Sequence, residues 1–143
     1  MGHELGVVPR DSEAAAVHWA LTYPEVYEVE ASNLSHIILH SVLNAVPGQL
    51  CDRAYLPAPD LATRLRERQR PLFAVESRRP LLAFDILGFS LSYELGATNI
   101  LERLDLCRVP IRAADRGDSP LTDPDSPPLI FAGGPTATSN PEP

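Results

Sequence analysis

Four short strand candidates, separated by longer segments with helical spacing, constrain the fold of this chain more than any other feature. Three of them are compact apolar runs, at residues 17–21, 85–90 and 129–132, and the fourth, residues 51–56, includes Asp52 and Arg53. Nearly continuous apolar runs of this length are typical of strands that are buried on both faces of a parallel sheet. Their alternation with helical segments predicts an α/β fold, an open parallel sheet with helices on both faces.

The segments between the runs carry the signals of helices. The first repeats apolar residues at helical spacing, in Leu34, Ile38, Val42 and Ala45, and Pro47-Gly48 ends it. A short polar residue can cap each helix at its start. The predicted caps are Ser32 or Asn33, Asp60 and Ser92.

The chain divides into a lead-in segment, residues 1–16, and one α/β domain, residues 17–143. Within the domain, Tyr23-Pro24 is predicted to end the first strand. Three further segments are assigned by composition: an acidic loop at 25–30, a short edge strand at 72–75, and a turn-rich mobile loop at 114–128.

The C-terminal end predicts an unfinished sheet. Only residues 136–143 follow the last apolar run, and Pro141 and Pro143 disfavour a helix there. A parallel sheet normally has a covering helix after its last strand. We therefore expect a domain that is truncated at its C-terminus, with an uncovered sheet edge through which copies of the chain could associate.

Composition narrows the partners and the location. The chain has 143 residues and a formal net charge of −7, which disfavours a nucleic-acid partner. No stretch reaches the roughly 18–20 apolar residues of a membrane span, and no signal peptide opens the chain, so we expect a cytoplasmic location and no membrane contact. The two cysteines, Cys51 and Cys107, are expected to be buried free thiols.

Three loops are candidates for a ligand site, because ligands bind at the carboxyl ends of strands in open parallel sheets. These loops cover residues 24–33, 90–94 and 133–140. Ser90 and Ser92 precede a predicted helix, where free backbone N–H groups can hold a polar ligand. Gly133 and Gly134 permit a close approach of the backbone. The alternative is that the serines only cap and turn the chain, and that the two glycines only form a tight turn.

No motif for catalysis or for metal binding occurs. The chain lacks GxGxxG, GxxxxGK[ST] and GxSxG sequences. His36 and His40 are four residues apart and can share one helix face, but no HExxH arrangement accompanies them. We therefore expect no catalytic residue and no metal ligand in this chain.

Several blocks of the sequence are distinctive, at residues 20–29, 71–81, 84–95 and 131–135, with 140–143 at the end. Together they resemble the N-terminal, cobalamin-binding-like domain of a family of radical S-adenosylmethionine proteins. Residues 97–99, Ala-Thr-Asn, are similar to cyanobacterial members. The resemblance implies a flavodoxin-like or cobalamin-binding-like three-layer fold.

The resemblance also implies that the chemistry of the family lies outside this chain. In such proteins a radical barrel follows, and its CxxxCxxC loop binds a four-iron four-sulfur cluster and S-adenosylmethionine; this chain has no such motif. The implied partner is that radical SAM barrel, in the same chain or as a separate one. The implied role is a non-catalytic accessory domain. The alternatives are a protein-interaction or regulatory module without a cofactor, and a truncated gene product.

Cobalamin is the cofactor that the resemblance implies for the domain itself. The residues that match its contact loops are Asn33, Ser90, Ser92, Gly133 and Gly134. The chain lacks the DxHxxG loop of domains that bind cobalamin through a histidine. Glu30 and Ser35 also stand where the family pattern has glycines.

Overall fold

The computed structural model describes residues 14–27, 33–116 and 126–139, and within these the chain forms one four-stranded parallel sheet. The strands are β1 (Val17–Val26), β2 (Gln49–Leu56), β3 (Ile86–Ser90) and β4 (Leu129–Gly133), in the order β2-β1-β3-β4. All three pairings are parallel. The predicted α/β fold with a parallel sheet is confirmed, and each of the four strand candidates corresponds to a strand, although Asp85 precedes β3.

The helices cover both faces of the sheet, as predicted. They are α1 (Leu34–Ala45), α2 (Pro59–Glu67), α3 (Gly96–Cys107) and α4 (Pro135–Ser139). Helix α1 packs on the face formed by Leu21, Tyr23, Cys51 and Tyr55. Helices α2 and α3 pack on the opposite face, in a larger cluster that includes Ala20, Leu87 and Phe89. The helix that follows β1 and the helix that follows β3 therefore lie on opposite faces of the sheet, although the two strands are neighbours.

Strand β1 is longer than the sequence predicted. It does not end at Tyr23-Pro24 but runs to Val26, and Glu25 and Val26 belong to it rather than to an acidic loop. Its pairing with β2 shifts register between Tyr23 and Val26, at an irregularity that contains Pro24. Proline lacks the N–H that a regular ladder needs, and a bulge removes that requirement.

Three further predictions about local structure are wrong. Residues 72–75 form no edge strand, and only an isolated bridge joins Phe73 to Pro80. Asp60 does not cap α2, because Pro59 already opens that helix and Asp60 lies in its first turn. A short helix, α4, follows β4 after all: Pro135 has the φ that suits a first helical residue, and Pro141 lies beyond the end of the helix.

Part of the predicted organisation lies outside the described residues. This applies to residues 1–13 of the lead-in segment, to 28–32, to 117–125 of the predicted mobile loop, and to 140–143. The beginning of that loop contains a short 3₁₀ turn, Ala113–Arg116. Among the described helices none is long and apolar enough to cross a membrane.

Helix α1 contacts the sheet through two polar side chains and Leu43, and it leaves its other large apolar side chains exposed. Its inner face presents His36, which is buried, and Asn44, whose amide bonds both backbone groups of Cys51 at 2.9 and 3.0 Å. Its outer face is apolar, with Leu34, Ile37, Ile38, Leu39 and Val42 all exposed. The apolar periodicity predicted from the sequence is present, but this face is not covered by any described residue.

Strand β4 also leaves apolar side chains exposed. Leu129 pairs with Ile86, which pairs in turn with Trp19 on β1. Phe131 pairs with Gly88, which pairs with Leu21 on β1. Leu129 and Phe131 therefore share the face on which α1 lies, beside the half that α1 covers. They are 51% and 59% exposed. We call this set of exposed residues the apolar side: Leu34, Ile37, Ile38, Leu39, Val42, Leu129 and Phe131.

The two edges of the sheet differ. The outer edge of β2 is covered by the turn at 74–79: the Val75 N–H donates to the Arg53 carbonyl at 2.8 Å, and the Arg53 N–H donates to Glu76 Oε2 at 2.8 Å. The Arg53 side chain pairs with the same carboxylate at 2.5 Å. No described strand pairs with the outer edge of β4.

Candidate functional site

The carboxyl ends of β1 and β3 meet where the direction of winding reverses, which is where open parallel sheets bind ligands. Val26 and Ser90 end these two strands, and Gly133 ends β4 beside Ser90. The structure thus brings Ser90, Gly133 and Gly134 to one edge. Asn33 and Ser92 lie on the loops that leave the same edge.

Asn33 is the N-cap of α1, as predicted. Its side-chain Oδ1 accepts a hydrogen bond from the Ser35 N–H at 3.0 Å, and its backbone is extended. This bond satisfies one of the N–H groups that a helix start leaves without a partner. The amide oxygen of Asn33 is thereby committed to the helix.

The two serines have different environments. Ser90 is half-buried at the end of β3, whereas Ser92 is exposed in the turn that follows. The prediction that Ser92 caps the third helix is wrong, because α3 begins four residues later at Gly96 and its N-cap position, Leu95, makes no side-chain cap bond. The extra turn separates both serines from the helix start.

Gly134 is required by the chain itself. It has φ +112°, and a Cβ on it would lie 2.4 Å from the Leu91 carbonyl oxygen. The Leu91 N–H donates to the Gly133 carbonyl at 2.8 Å, and the Leu91 carbonyl accepts from the Thr136 N–H at 3.3 Å. The two glycines therefore join the loop after β3 to the loop after β4, and at Gly133 a Cβ would meet nothing within 4 Å.

The first turns of α3 cover the point where β1 and β3 diverge. A Cβ on Gly96 would lie 3.0 Å from Leu91 and 3.3 Å from Pro24, so the helix packs tightly on both. Asn99 Nδ2 donates to the Pro24 carbonyl at 2.7 Å. The Tyr93 hydroxyl donates to the Glu25 carboxylate. Side chains of this chain thus occupy the space beside the end of β1.

Arg103 completes this arrangement from the interior and was not identified from the sequence. Its side chain is fully buried, and Nη2 donates to the Tyr23 carbonyl. Its Nε and Nη1 have no hydrogen-bond partner among the described residues. Burial lowers the pKa of Arg103 to about 10, so the group stays charged at neutral pH. The signal in the sequence was an arginine four residues after Asn99 and four before Cys107 on the inner face of α3.

The histidines and cysteines do not form a metal centre in the described part of the chain, which contains no group of three or more His, Cys, Asp or Glu side chains suited to a metal. His36 and His40 do share the inner face of α1. The His36 ring stacks on Tyr23 with 3.4 Å between centroids, and burial lowers the pKa of His40. Cys51 and Cys107 are free and buried, as predicted, and burial raises the pKa of each thiol to about 12.

A second buried polar cluster lies at the outer edge of β2. Asp52 accepts from the Ser77 N–H at 3.2 Å and contacts the Glu76 carboxyl group, which also binds Arg53. Burial, as the largest cause, and the neighbouring Glu76 raise the pKa of Asp52. This cluster fixes the turn at 74–79 against the sheet and faces away from the candidate ligand site.

The comparisons with known proteins identify the family. A family model described as "Radical SAM proteins, N-terminal" matches residues 35–143, which include the last three strands and all four helices except the first residue of α1. The curated proteins and the solved structures gave no match. Since the matched segment covers more than half of the sequence, this chain belongs to the family of radical SAM protein N-terminal domains.

Proposed function

We propose that this chain is a non-catalytic accessory domain that packs against the barrel of a radical SAM protein and shapes access of substrate to it. The family match supports the association with such a protein. The observation that carries the proposal is the apolar side. Seven large apolar side chains stand exposed on one side of a 143-residue acidic chain, and exposed patches of this kind mark protein interfaces.

The apolar side has the form of an interface with a large partner. Helix α1 and the exposed side chains of β4 lie on the same face of the sheet. Strand β3 separates β4 from β1, which α1 covers. Phe131 and Ile38 are 59% and 52% exposed and would be desolvated by a partner at this surface. The barrel brings the iron-sulfur cluster and S-adenosylmethionine, which this chain has no motif to bind.

We further propose that the domain acts without cobalamin. The packing at the carboxyl ends of the strands supports this: Gly96 packs tightly against Pro24 and Leu91, and the Glu25 carboxylate is bound by Tyr93. Asn33 is committed to its helix. Of the two glycines that match the cobalamin loops, Gly134 approaches the Leu91 backbone and only Gly133 has open space at its Cβ position.

The partner is tested by expressing this chain and the radical SAM barrel as separate polypeptides and measuring their association by size-exclusion chromatography and calorimetry. The barrel used is the CxxxCxxC-bearing domain of a radical SAM protein. Ile38→Glu is expected to weaken binding roughly tenfold or more, the effect of placing a charge at an interface anchor. Leu101→Glu is the matched control, because Leu101 is 46% exposed on α3, on the opposite face of the sheet.

Equal binding by the two variants would contradict the assignment of the apolar side, and absence of any association would contradict the accessory role. Two spectra complete the test. The purified chain is expected to show no iron-sulfur absorption, and stoichiometric absorption would refute a non-catalytic role. Titration of hydroxocobalamin is expected to give no spectral shift at micromolar concentration, and a saturable shift would restore cobalamin as a ligand.

A further inference from the structure

The described helices cover the two faces of the sheet unequally. Helices α2 and α3 both pack on the face that carries Ala20, Leu87 and Phe89. On the other face only α1 packs, and its contacts are with β1 and β2. The half of this face that β3 and β4 form therefore has no helix over it in the described part of the chain.

This uncovered half has the width of one helix. Strands lie about 4.8 Å apart, so a sheet of four strands is roughly 19 Å wide, whereas a helix with its side chains is about 10 Å across. Two helices therefore cover one face of this sheet, as α2 and α3 do on the opposite face. The face of α1 has room for a second helix beside it, at the usual interaxial distance of about 8–10 Å.

The floor of this uncovered half is apolar, and we call it the trough: Gly88 on β3 with Leu129 and Phe131 on β4. A Cβ on Gly88 would lie 3.1 Å from the Leu21 side chain and 4.0 Å from the Trp19 ring, so these two side chains of β1 lie against β3. They form the side of the trough nearest to α1. Beyond them, Leu129 and Phe131 are more than half exposed.

The elements around the trough carry no formal charge. Residues 17–24, 33–51, 86–93 and 126–139 contain no Asp, Glu, Lys or Arg, and the charged residues of this acidic chain lie elsewhere in the sequence. A charged group that is buried without a partner is strongly unfavourable. The trough therefore selects an occupant whose inner face is apolar and uncharged.

A strand at the outer edge of β4 would not cover the trough. The Leu129 N–H donates to the Asp85 carbonyl at 2.9 Å, so the backbone groups of residues 129, 131 and 133 face β3. Those of Ile130 and Ala132 point to the outer edge, because successive peptide groups of a strand alternate. A strand bound there would use these groups, but the two exposed side chains of the floor stand on the face of the sheet.

We propose that the trough binds a single helix of the partner, which lies beside α1 and covers Leu129 and Phe131 with an apolar face. Strand β4 has five residues and is about 16 Å long, a length that a helix spans with about eleven residues. Such a helix contacts the trough through apolar residues spaced three and four apart. The identity of the protein that supplies the helix, a radical SAM barrel, rests on the proposed function.

The single tryptophan of the chain, Trp19, makes the trough observable by fluorescence. The probe is a peptide of about 14 residues, built from leucine, glutamate and lysine, with the leucines at helical spacing; a second peptide of the same composition has leucines at alternate positions. We expect a saturable blue shift of the Trp19 emission with the helical peptide and none with the alternating one. An equal or larger response to the alternating peptide, or no response to either at millimolar concentration, would overturn the proposal.

Two variants locate the binding. Phe131→Glu is expected to weaken binding of the helical peptide and of the barrel roughly tenfold or more, because it places a charge on the floor of the trough. Leu101→Glu, on the opposite face of the sheet, is expected to bind both as the parent does. Both positions are exposed, so matching thermal unfolding curves verify that each variant is folded.

Hydrogen exchange of the barrel complex separates a helix on the face from a strand at the edge. The Ile130 and Ala132 amides are expected to exchange as they do in the free chain, and strong protection of both would overturn the proposal. If the barrel binds Phe131→Glu as tightly as the parent, the trough is wrong and the accessory role stands. If no barrel associates but the helical peptide binds in the trough, the accessory role is wrong and the helix site stands.

Discussion

Replacing Gly134 with alanine is expected to destabilise the domain, and replacing its neighbour Gly133 is not. The Cβ of an alanine at position 134 would lie 2.4 Å from the Leu91 carbonyl oxygen and 2.9 Å from the carbonyl carbon. These are backbone atoms, so no side-chain rotation relieves the contact. Position 134 also has φ +112°, which L-residues rarely adopt.

The magnitude follows from these two costs. A non-glycine residue in an unfavourable backbone region costs about 1–3 kcal/mol, and overpacking of a well-packed site costs a further 1–3 kcal/mol. Part of the second cost is avoided if the loop moves, but movement breaks the hydrogen bonds of Leu91 with Gly133 and Thr136. We expect a loss of about 3 kcal/mol, or roughly 10 °C in melting temperature for a domain of this size.

Urea unfolding followed by circular dichroism measures the difference. Gly133→Ala is the matched control, because its Cβ meets nothing within 4 Å and it has no positive φ, so its stability is expected within about 0.5 kcal/mol of the parent. Equal stability of the two variants would refute the argument that Gly134 is required by the close approach to Leu91.

Three further substitutions test buried polar groups, each by urea unfolding. Asp52→Asn is expected to stabilise the domain at pH 7. Burial raises the folded-state pKa of Asp52, so the contribution of Asp52 to stability falls as pH rises through that pKa, and the advantage of asparagine should shrink toward pH 4. A lower stability of the variant at pH 7 would contradict this sign. Asn44→Ala leaves both backbone groups of Cys51 without their partner and should cost about 2 kcal/mol, whereas a neutral result would mean that water replaces the amide. Arg103→Met should stay within about 1 kcal/mol of the parent, because the lost bond to Tyr23 is offset by removal of a buried charge; a loss above about 3 kcal/mol would indicate that this charge is compensated.

Strands β1, β3 and β4 were predictable from the sequence because a parallel sheet buried on both faces favours continuous apolar runs, whereas β2 contains the buried charged residues Asp52 and Arg53. The end of β1 was not, since Pro24 reads as a break and only the tertiary structure shows the bulge that accommodates it. The N-cap of α1 was predicted to be Ser32 or Asn33, and it is Asn33. Ser92 is not a cap, because an additional turn precedes α3, which begins at Gly96. The sequence carries no signal that distinguishes a helix start after Ser92 from one at Gly96.

The orientation of α1 could not be predicted from periodicity. The spacing of Leu34, Ile38 and Val42 indicates an apolar face but not what covers it, and the usual inference that such a face points to the core is wrong here. The inner face instead contacts the sheet through the Asn44 amide, the His36 ring stacked on Tyr23, and Leu43. The hydrophobic spacing therefore indicated the exposed face of α1 and not the face that contacts the sheet.

The sequence predicted which loops meet at the carboxyl ends of the strands, but not which side chains surround them. Strand order places Ser90 and Gly133 side by side at the carboxyl edge, as the alternation of elements implied. The end of β1 is instead contacted by side chains from the loop and helix after β3, namely Tyr93, Asn99 and Arg103. Their hydrogen bonds join residues 68 to 80 positions apart in the sequence, so no local signal predicts them.

The difference between the two sheet edges limits how copies of this domain can assemble. The outer edge of β2 is covered by the Glu76 carboxylate and the Val75 amide, whereas β4 has no described neighbour on its outer side. Strand addition between two copies would therefore join β4 to β4 about a two-fold axis, with both β2 edges outward and covered. Such a contact is closed, so it ends at a dimer and cannot propagate into a filament.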